Sequence, residues 1–461
     1  MIPISLFSGK QIALFGLGHS GLITAHALIS GGADVIAFDD NYTVVEKASK
    51  LGIPIGNLRD IHWQDVSALV LTPGVPLTHP HPHWSVEYAG RAGVEVIGDI
   101  ELFYRQMLAE KSTVPVVAIT GTNGKSTTTA LIAHILSVRG WDVQMGGNIG
   151  RAVLDLAPPS LGSIDQVYII ECSSYQIDLA PSLRPNVGVL LNLSTDHIDR
   201  HGTIENYVAV KEQLVKKSDI AIISIDSDSC RKIANAIALS SKSLLTIGEH
   251  KDAHYNYESP YIWDQKGRRI ADLSNIGSLR GKHNMQNAAA AIAVCQSLGV
   301  SKVEIQIAMI SFSGLSHRLE QVRLLDGVLF VNDSKATNAD AAAAALSSFE
   351  NVFWIAGGMI KDIGISATLL RSLSHVEKAY LIGKDAKLFS VQLGDKVPYE
   401  ISNTLKEAVN HAAWDARQLG KSPVVLLSPA AASFDQFSNF EERGESFKNA
   451  VKALDPLDDL R

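Results

Sequence analysis

Between Val114 and Thr129 the chain reads VPVVAITGTNGKSTTT, and no other stretch restricts its possible folds as much. Val116, Val117 and Ile119 follow Pro115 as a β-branched run, the composition of a buried parallel strand. Gly121 and Gly124 bracket Thr122 and Asn123, so the backbone can turn tightly enough for its N–H groups to face one point. Lys125 adds a mobile cation there, Ser126 a hydroxyl, and Thr127 continues into a helix whose positive end faces the same point. Convergent donors, a lysine and a hydroxyl that suits Mg2+ fit the β- and γ-phosphates of a nucleotide. The pattern is one glycine short of a full Walker A motif, because Ile119 stands five positions before Gly124.

A chain of 461 residues is too long for one core and suits about three domains. A net charge of −7 with no long basic block argues against a nucleic-acid partner. No apolar run approaches a membrane span, and the opening MIPISLFSGKQIALFGLG leads into a strand rather than a signal peptide. Cys172, Cys230 and Cys295 are far apart with no CxxC spacing, which fits a reducing cytoplasm and disfavours a disulfide framework or a structural zinc site.

Along the chain, strand patterns repeatedly end in polar or glycine-rich clusters. Gln11 to Phe15 runs into Gly16-Leu-Gly18-His19-Ser20-Gly21, and a second strand ends in Asp39-Asp40, the GxGxxG-plus-acid spacing of a dinucleotide site. Read alone it points to a nicotinamide or flavin cofactor, although such a loop can hold another diphosphate. Ala68 to Leu71 runs into Thr72-Pro73-Gly74. The segment His79-Pro-His81-Pro-His83 invites a metal reading, but its alternating prolines favour an extended, exposed loop. After the phosphate loop, Asn148 lies in a glycine-rich turn, and Val167 to Ile170 delivers Glu171, placed like a Walker-B acid. Val187 to Leu191 precedes Asp196-His197-Ile-Asp199-Arg200. Ile204 to Lys217 reads as a helix on which Lys211 is one of three lysines, and periodicity alone suggests solvent exposure. A hairpin is expected around Asp264 to Gly267. The polar run Arg280 to Asn287 suits an adenine edge or the cap of the alanine-rich helix behind it. Three of four later strand ends carry polar clusters (332–338, 357–361 and 428–434), the pattern of a doubly wound domain with its site along one edge.

With these residues in view, the chain resembles the Mur ligases of peptidoglycan precursor synthesis over nearly its whole length. The family-wide marks are GTNGKST, the strand-end Glu171, the Asp196–His197 pair and HNxxN at 283–287. DSKATN at 333–338, two glycines followed by Lys361, His317-Arg318-Leu-Glu320 and SPAAASFDQFSNF at 428–440 resemble the members that add D-glutamate to UDP-N-acetylmuramoyl-L-alanine. The resemblance implies an α/β protein of three domains. A Rossmann-like N-terminal domain (1–110) would bind the UDP-sugar. A central P-loop mononucleotide-binding ATPase domain (111–312) would bind ATP, and a C-terminal Rossmann-like α/β domain (313–461) would seat the amino acid and close the ATP site. Ser311 to Gly314 is the expected hinge.

Carried over residue by residue, His19, Ser20, Asp39, Thr72, Pro73 and Gly74 would line the uridine diphosphate site, so the glycine fingerprint would hold UDP rather than NAD. Lys125 would neutralise the γ-phosphate. Ser126 and Glu171 would ligate one Mg2+, and His197 with carbamylated Lys211 a second. Asn148 would contact the muramoyl substrate. Asn287, Arg318, Asp333 and Lys335 would contact ATP, and Thr337, Lys361, Ser433, Phe434 and Phe440 would seat D-glutamate. Two departures from the family pattern are mild: Ala431 stands where cysteine is usual, and Thr72 where serine is usual. The implied enzyme is a cytoplasmic, monomeric ATP-dependent ligase working through an acyl phosphate, with no nucleic-acid or membrane partner. The alternatives are a sister ligase adding another amino acid, a folylpolyglutamate synthase, an NAD-dependent oxidoreductase, and a P-loop ATPase acting on a protein.

Overall fold

The structure is a computed structural model that describes residues 1–160, 165–196, 198–240, 243–360 and 366–456. The chain forms two compact units: Met1–Asp272 with Gln286–Met309, and Leu273–Met285 with Ile310–Arg461. His197 and Lys361 lie outside the described residues.

The first unit holds two sheets. A four-stranded parallel sheet runs in the order Asp34–Phe38, Gln11–Phe15, Val66–Leu71, Val96–Ile97. Phe15 is in register with both Phe38 and Leu71, so the loops starting at Gly16, Asp39 and Thr72 leave from one edge. The second sheet has nine strands. Val116–Thr120 is the third strand from one edge, between Val187–Leu190 and Gln166–Glu171, with Asp142–Gly147 at that edge. All five residues of Val116–Thr120 are buried, as a parallel strand covered on both faces demands. On the other side Ile220–Ser224, Ser243–Gly248 and Tyr255–Glu258 continue in parallel, and two antiparallel strands, Tyr261–Asp264 and Arg269–Asp272, complete the sheet. The turn between those last two is the hairpin expected around Asp264.

The second unit is built on six strands in the order Glu320–Leu325, Val328–Asn332, Val424–Leu427, Val352–Gly357, Val376–Ile382, Tyr399–Asn403. The first pair is antiparallel and the rest are parallel. Alternation along Val352–Gly357 divides its side chains between two cores. Trp354 and Ala356 pack with Leu346, Leu369 and Phe389, whereas Phe353 and Ile355 pack with Val409, Ala412 and Phe447. Helices on both faces leave the strand ends at Asp333, Gly358 and Ser428 as the open edge, where α/β sheets of this kind bind ligands.

Candidate active site

The phosphate loop follows the strand Val116–Thr120 and ends at the helix Lys125–Val138. Gly124 is the residue before that helix and has φ +84°, a left-handed conformation that disfavours side chains. A Cβ there would also lie 2.3 Å from Asn287 Oδ1, so a side chain would have to displace Asn287 from the loop. Asn287 is itself buried and accepts from Thr128 Oγ1 at 3.2 Å. It therefore packs against the phosphate loop and braces its helix as well. The loop is held from the other side by residues that sequence reasoning passed over. Asn192 Oδ1 accepts from the Asn123 amide at 2.8 Å, and Asn192 Nδ2 donates to the Asn123 carbonyl and to Gln286 Oε1. Thr122 Oγ1 bonds Tyr207 Oη at 2.9 Å and accepts from the Ser194 amide at 3.0 Å. Lys125 Nζ folds back to donate to the carbonyls of Gly121 and Thr122, both at 2.8 Å.

Lys211 is not exposed, which corrects the periodicity reading. Only 2% of its surface is accessible; its Nζ donates to Thr120 Oγ1 at 3.1 Å and to the Gly121 carbonyl at 2.9 Å. The signal was present in the helix Ile204–Lys217, whose buried residues are Tyr207, Val210, Lys211, Leu214 and Val215. That is an i, i+3, i+4, i+7, i+8 stripe with the lysine in its centre. Lys125 and Lys211 thus share one acceptor. Burial, and then the Lys125 charge, hold the Lys211 ammonium well below its ordinary pKa of 10.5. The neutral amine becomes accessible at a site beside the phosphate loop.

Glu171 ends the strand Gln166–Glu171 in register with Ile119 of the phosphate-loop strand. It is 1% exposed. Its Oε1 accepts from Asn148 Nδ2 at 2.9 Å, while Oε2 is buried without a hydrogen-bond partner among the described residues. An orphaned carboxylate oxygen in that setting is costly unless something positive meets it. The Ser126 hydroxyl, in the first turn of the adjacent helix, is buried too. One carboxylate oxygen, one hydroxyl and the phosphate oxygens of a nucleotide form the all-oxygen set that Mg2+ prefers. Among the described residues no three His, Cys, Asp or Glu side chains are grouped to hold a metal, the histidine-rich loop included.

At the edge of the four-stranded sheet, Asp39 accepts from the Leu17 amide at 2.8 Å through Oδ2 and from the Asn41 amide at 2.9 Å through Oδ1. It shapes the glycine loop directly. The Thr72 hydroxyl lies 1.9 Å from where a Gly16 Cβ would stand. His19 and Ser20 open the helix His19–Ser30, and Thr72, Pro73 and Gly74 form the neighbouring turn. The structure brings all six residues to this one edge.

In the second unit, Asp333 is buried; its Oδ1 accepts from the Leu319 amide and its Oδ2 from Ser428 Oγ at 2.9 Å. Burial raises its pKa from 3.8 to about 7. Lys335 Nζ lies 3.7 Å above the Phe440 ring. The Thr337 amide donates to the Lys335 carbonyl, and Arg318 lies in the turn before the strand Glu320–Leu325. Ser433 is buried, and its carbonyl accepts the amides of Gln436 and Phe437, whereas Phe434 is 62% exposed. One residue unremarked in the sequence organises the group. Arg443, 1% exposed, donates from Nε to Ser334 Oγ, from Nη2 to the Ser334 carbonyl and from Nη1 to the Ala431 carbonyl. It ties the 333–338 loop to the 428–440 loop.

A family model described as the Mur ligase middle domain matches residues 119–295. The chain is 55% identical over 98% of its length, and 98% of the relative's, to a UDP-N-acetylmuramoylalanine–D-glutamate ligase of Chelativorans sp.. Ligases of the same name from Mesorhizobium japonicum (55%, covering 99% of this chain and 98% of the relative) and Brucella abortus (54%, covering 98% of each) are similarly alike. Among solved structures, a UDP-N-acetylmuramate–alanine ligase from Thermotoga maritima aligns with a TM-score of 0.59 at 17% identity, over 96% of this chain and 99% of that one. A MurF ligase of the same organism, in complex with ADP, aligns with a TM-score of 0.58 at 16% identity, over 86% and 97%.

Proposed function

From the premise that this chain belongs to the Mur ligase family, we infer that it is the ATP-dependent ligase that joins D-glutamate to UDP-N-acetylmuramoyl-L-alanine. The observation that carries the reading is full-length identity above one half to ligases of that name, with every phosphate-loop residue in place. The product is an intermediate of peptidoglycan precursor synthesis, and we assign the reaction to the cytoplasm and to a monomer. Among the described residues no helix is long and apolar enough to cross a membrane.

The chemistry follows from the weakness of a carboxylate as an electrophile. An oxygen of the L-alanyl carboxylate attacks the γ-phosphorus, the bond to the β,γ-bridging oxygen breaks, and ADP leaves an acyl phosphate behind. The deprotonated amine of D-glutamate then attacks the acyl carbon. The tetrahedral adduct expels inorganic phosphate with its electron pair, and the extra proton on the nitrogen leaves with that phosphate, giving the amide. Charge is spread over phosphoryl oxygens throughout, so positioning and electrostatics dominate catalysis. In this reading Lys125 leaves the Gly121 and Thr122 carbonyls for the γ-phosphate, while the amides of the 121–127 loop receive the β-phosphate. Ser126 and Glu171 Oε2 would hold Mg2+, which when bound would supply positive charge against the phosphate oxygens. His197 and Lys211 would hold a second ion. An ammonium cannot do this, so Lys211 reacts as the free amine with CO2, losing a proton to give a carbamate. Its burial and its depressed pKa support that assignment.

Residues 1–110 form the UDP-sugar module, with His19, Ser20, Asp39 and the Thr72–Gly74 turn around the diphosphate. Residues 111–312 carry the ATP site, with Asn148 facing the muramoyl group. In residues 313–461, Arg318, Asp333 and Lys335 meet ATP, and Thr337, Lys361, Ser433, Phe434 and Phe440 seat D-glutamate. The test is phosphate release from Mg-ATP with UDP-N-acetylmuramoyl-L-alanine, comparing D-glutamate, L-glutamate and no amino acid. Release that needs both the sugar nucleotide and D-glutamate is expected. Release driven by another amino acid would move the chain to a sister ligase and refute the amino-acid site.

A further inference from the structure

The short helix Ile198–His201, directly after His197, carries a side chain that the reaction scheme does not use. Arg200 reaches out of the nucleotide-binding part of the first unit to the turn after the strand Val66–Leu71. Its Nη1 donates to the Gly74 carbonyl at 2.9 Å, and its Nη2 to the carbonyls of Val75 at 2.8 Å and Pro73 at 3.3 Å. A planar guanidinium can bridge three successive carbonyls of one turn, which a single ammonium cannot do as well. A second contact joins the same two segments. The His79 ring packs onto Gly202, where a Cβ would lie 2.4 Å from His79 Nε2. The histidine-rich loop is therefore half docked here rather than simply exposed.

Behind Arg200 a continuous aromatic ladder leads to the phosphate loop. The guanidinium lies 4.6 Å from the centre of the Tyr175 ring. Tyr175 stacks on His201 at 5.5 Å and 15°, and His201 meets Tyr207 edge-on at 5.5 Å. His201 Nε2 is 2.9 Å from Ser174 Oγ, which fixes its ring. The ladder ends where Tyr207 Oη bonds Thr122 Oγ1 and where Lys211 Nζ lies 4.9 Å from the centre of the Tyr207 ring. The two ends are the 72–75 turn and the phosphate loop, the places where the two phosphorylated substrates are held in the function proposed above.

We propose that Arg200 is a positioning residue that sets the span between the sugar-nucleotide turn and the phosphate loop, acting through Tyr175, His201 and Tyr207. The inference rests on that function. The reacting carboxylate hangs at the far end of a substrate anchored by its diphosphate, so the distance between the anchor and the γ-phosphate decides whether it reaches. An error of about 1 Å in such a span costs about a hundredfold in rate.

The experiment measures kcat and the separate KM values for sugar nucleotide, ATP and D-glutamate in wild type, R200M, R200K and Y175L, with a thermal melt for each. R200M is expected to raise KM for the sugar nucleotide and lower kcat, each by about tenfold to a hundredfold. Its KM for ATP stays within about twofold, because the phosphate loop keeps its other braces. R200K recovers part of the loss, since one ammonium can hold one or two of the three carbonyls. Y175L, which leaves the carbonyl contacts but breaks the ladder, lowers kcat more than it raises the sugar-nucleotide KM. Wild-type kinetics in R200M would overturn the proposal. So would a loss shared equally by all three KM values with R200K no better than R200M, which would make Arg200 mere interdomain glue. A wild type that turns over ATP without the sugar nucleotide would instead refute the proposed function itself, whatever the variants do.

Discussion

Replacing Lys211 with methionine separates catalysis from stability. Methionine keeps the length of the stem, so no sizeable cavity opens in the stripe formed with Tyr207, Val210, Leu214 and Val215. The two groups that accept from Lys211 keep other bonds. The Gly121 carbonyl still receives Lys125 Nζ at 2.8 Å, and Thr120 Oγ1 still donates to the Cys172 carbonyl at 2.9 Å. What is lost is a buried ammonium that faces a second lysine and, among the described residues, donates to a hydroxyl and a carbonyl rather than to a carboxylate. Exchange of buried charge for apolar volume is typically neutral to stabilising by about 4 kcal/mol, so K211M is expected to melt at or above the wild-type temperature. The effect depends on pH. In the wild type the folded protein holds this proton less tightly than the unfolded chain does at 10.5. Between the folded value and 10.5 the unfolded chain therefore binds more protons, and stability climbs as pH rises. The climb is absent in K211M. Activity moves the other way, because the variant has no amine to form the carbamate; kcat is expected to fall by about 10²–10³ or more, the loss that follows removal of one preorganised group at developing charge. The assay pairs ADP release with thermal melts from pH 6 to 10 in buffer stripped of CO2. Adding bicarbonate should raise the rate of stripped wild type and leave K211M unchanged. A K211M that keeps wild-type kcat, or that melts far lower while the wild type ignores bicarbonate, would refute the reasoning and make Lys211 a structural residue.

Further expectations follow from the same geometry. Glu171→Gln keeps the acceptor for Asn148 but removes the charge behind the orphaned Oε2, so ATP turnover should fall at least about a hundredfold with an unchanged melting temperature; wild-type turnover would sink the metal assignment. Asp333, raised from 3.8 to about 7, is protonated more readily in the folded chain than in the unfolded one, so its contribution to stability should drain away as pH rises from about 4 to about 7. Urea melts across that range should show a decline in wild type that D333N lacks, and parallel curves would contradict it. Arg443→Met leaves three acceptors without their donor in a buried setting and should destabilise the second unit by about 2–5 kcal/mol, read as a lower melting transition.

How much of this could be read from residues alone varies with the kind of signal. The phosphate loop is local: strand, glycines, lysine and helix start adjoin one another, and all fall where expected. Glu171 stands out in the sequence because an acid follows directly on four apolar residues, and the structure buries it at that strand end. The charge of Lys211 suggests exposure, whereas the phase of its helix places it inside the apolar stripe. Arg200, Asn192 and Arg443 gave no local sign. Their partners lie far away in sequence (73–75, 123 and 334), and their donors meet mainly backbone groups, which carry no residue code. The fold class was more accessible than the site. Strand ends followed by polar clusters announce an α/β sheet edge, whereas strands such as Glu320–Leu325 and Tyr399–Asn403, at the two edges of the last sheet, lack the apolar run that marks a buried strand.

The account stands on transfer of the γ-phosphoryl group to the L-alanyl carboxylate, and isotope transfer tests that step most directly. UDP-N-acetylmuramoyl-L-alanine labelled with oxygen-18 in both carboxylate oxygens is turned over with Mg-ATP and D-glutamate, and the released phosphate is weighed by mass spectrometry. An acyl phosphate predicts one heavy oxygen in each phosphate, since the oxygen that attacked phosphorus leaves with it. Unlabelled phosphate accompanied by amide product would contradict the mechanism and the roles given to Lys125, Ser126 and Glu171 within it.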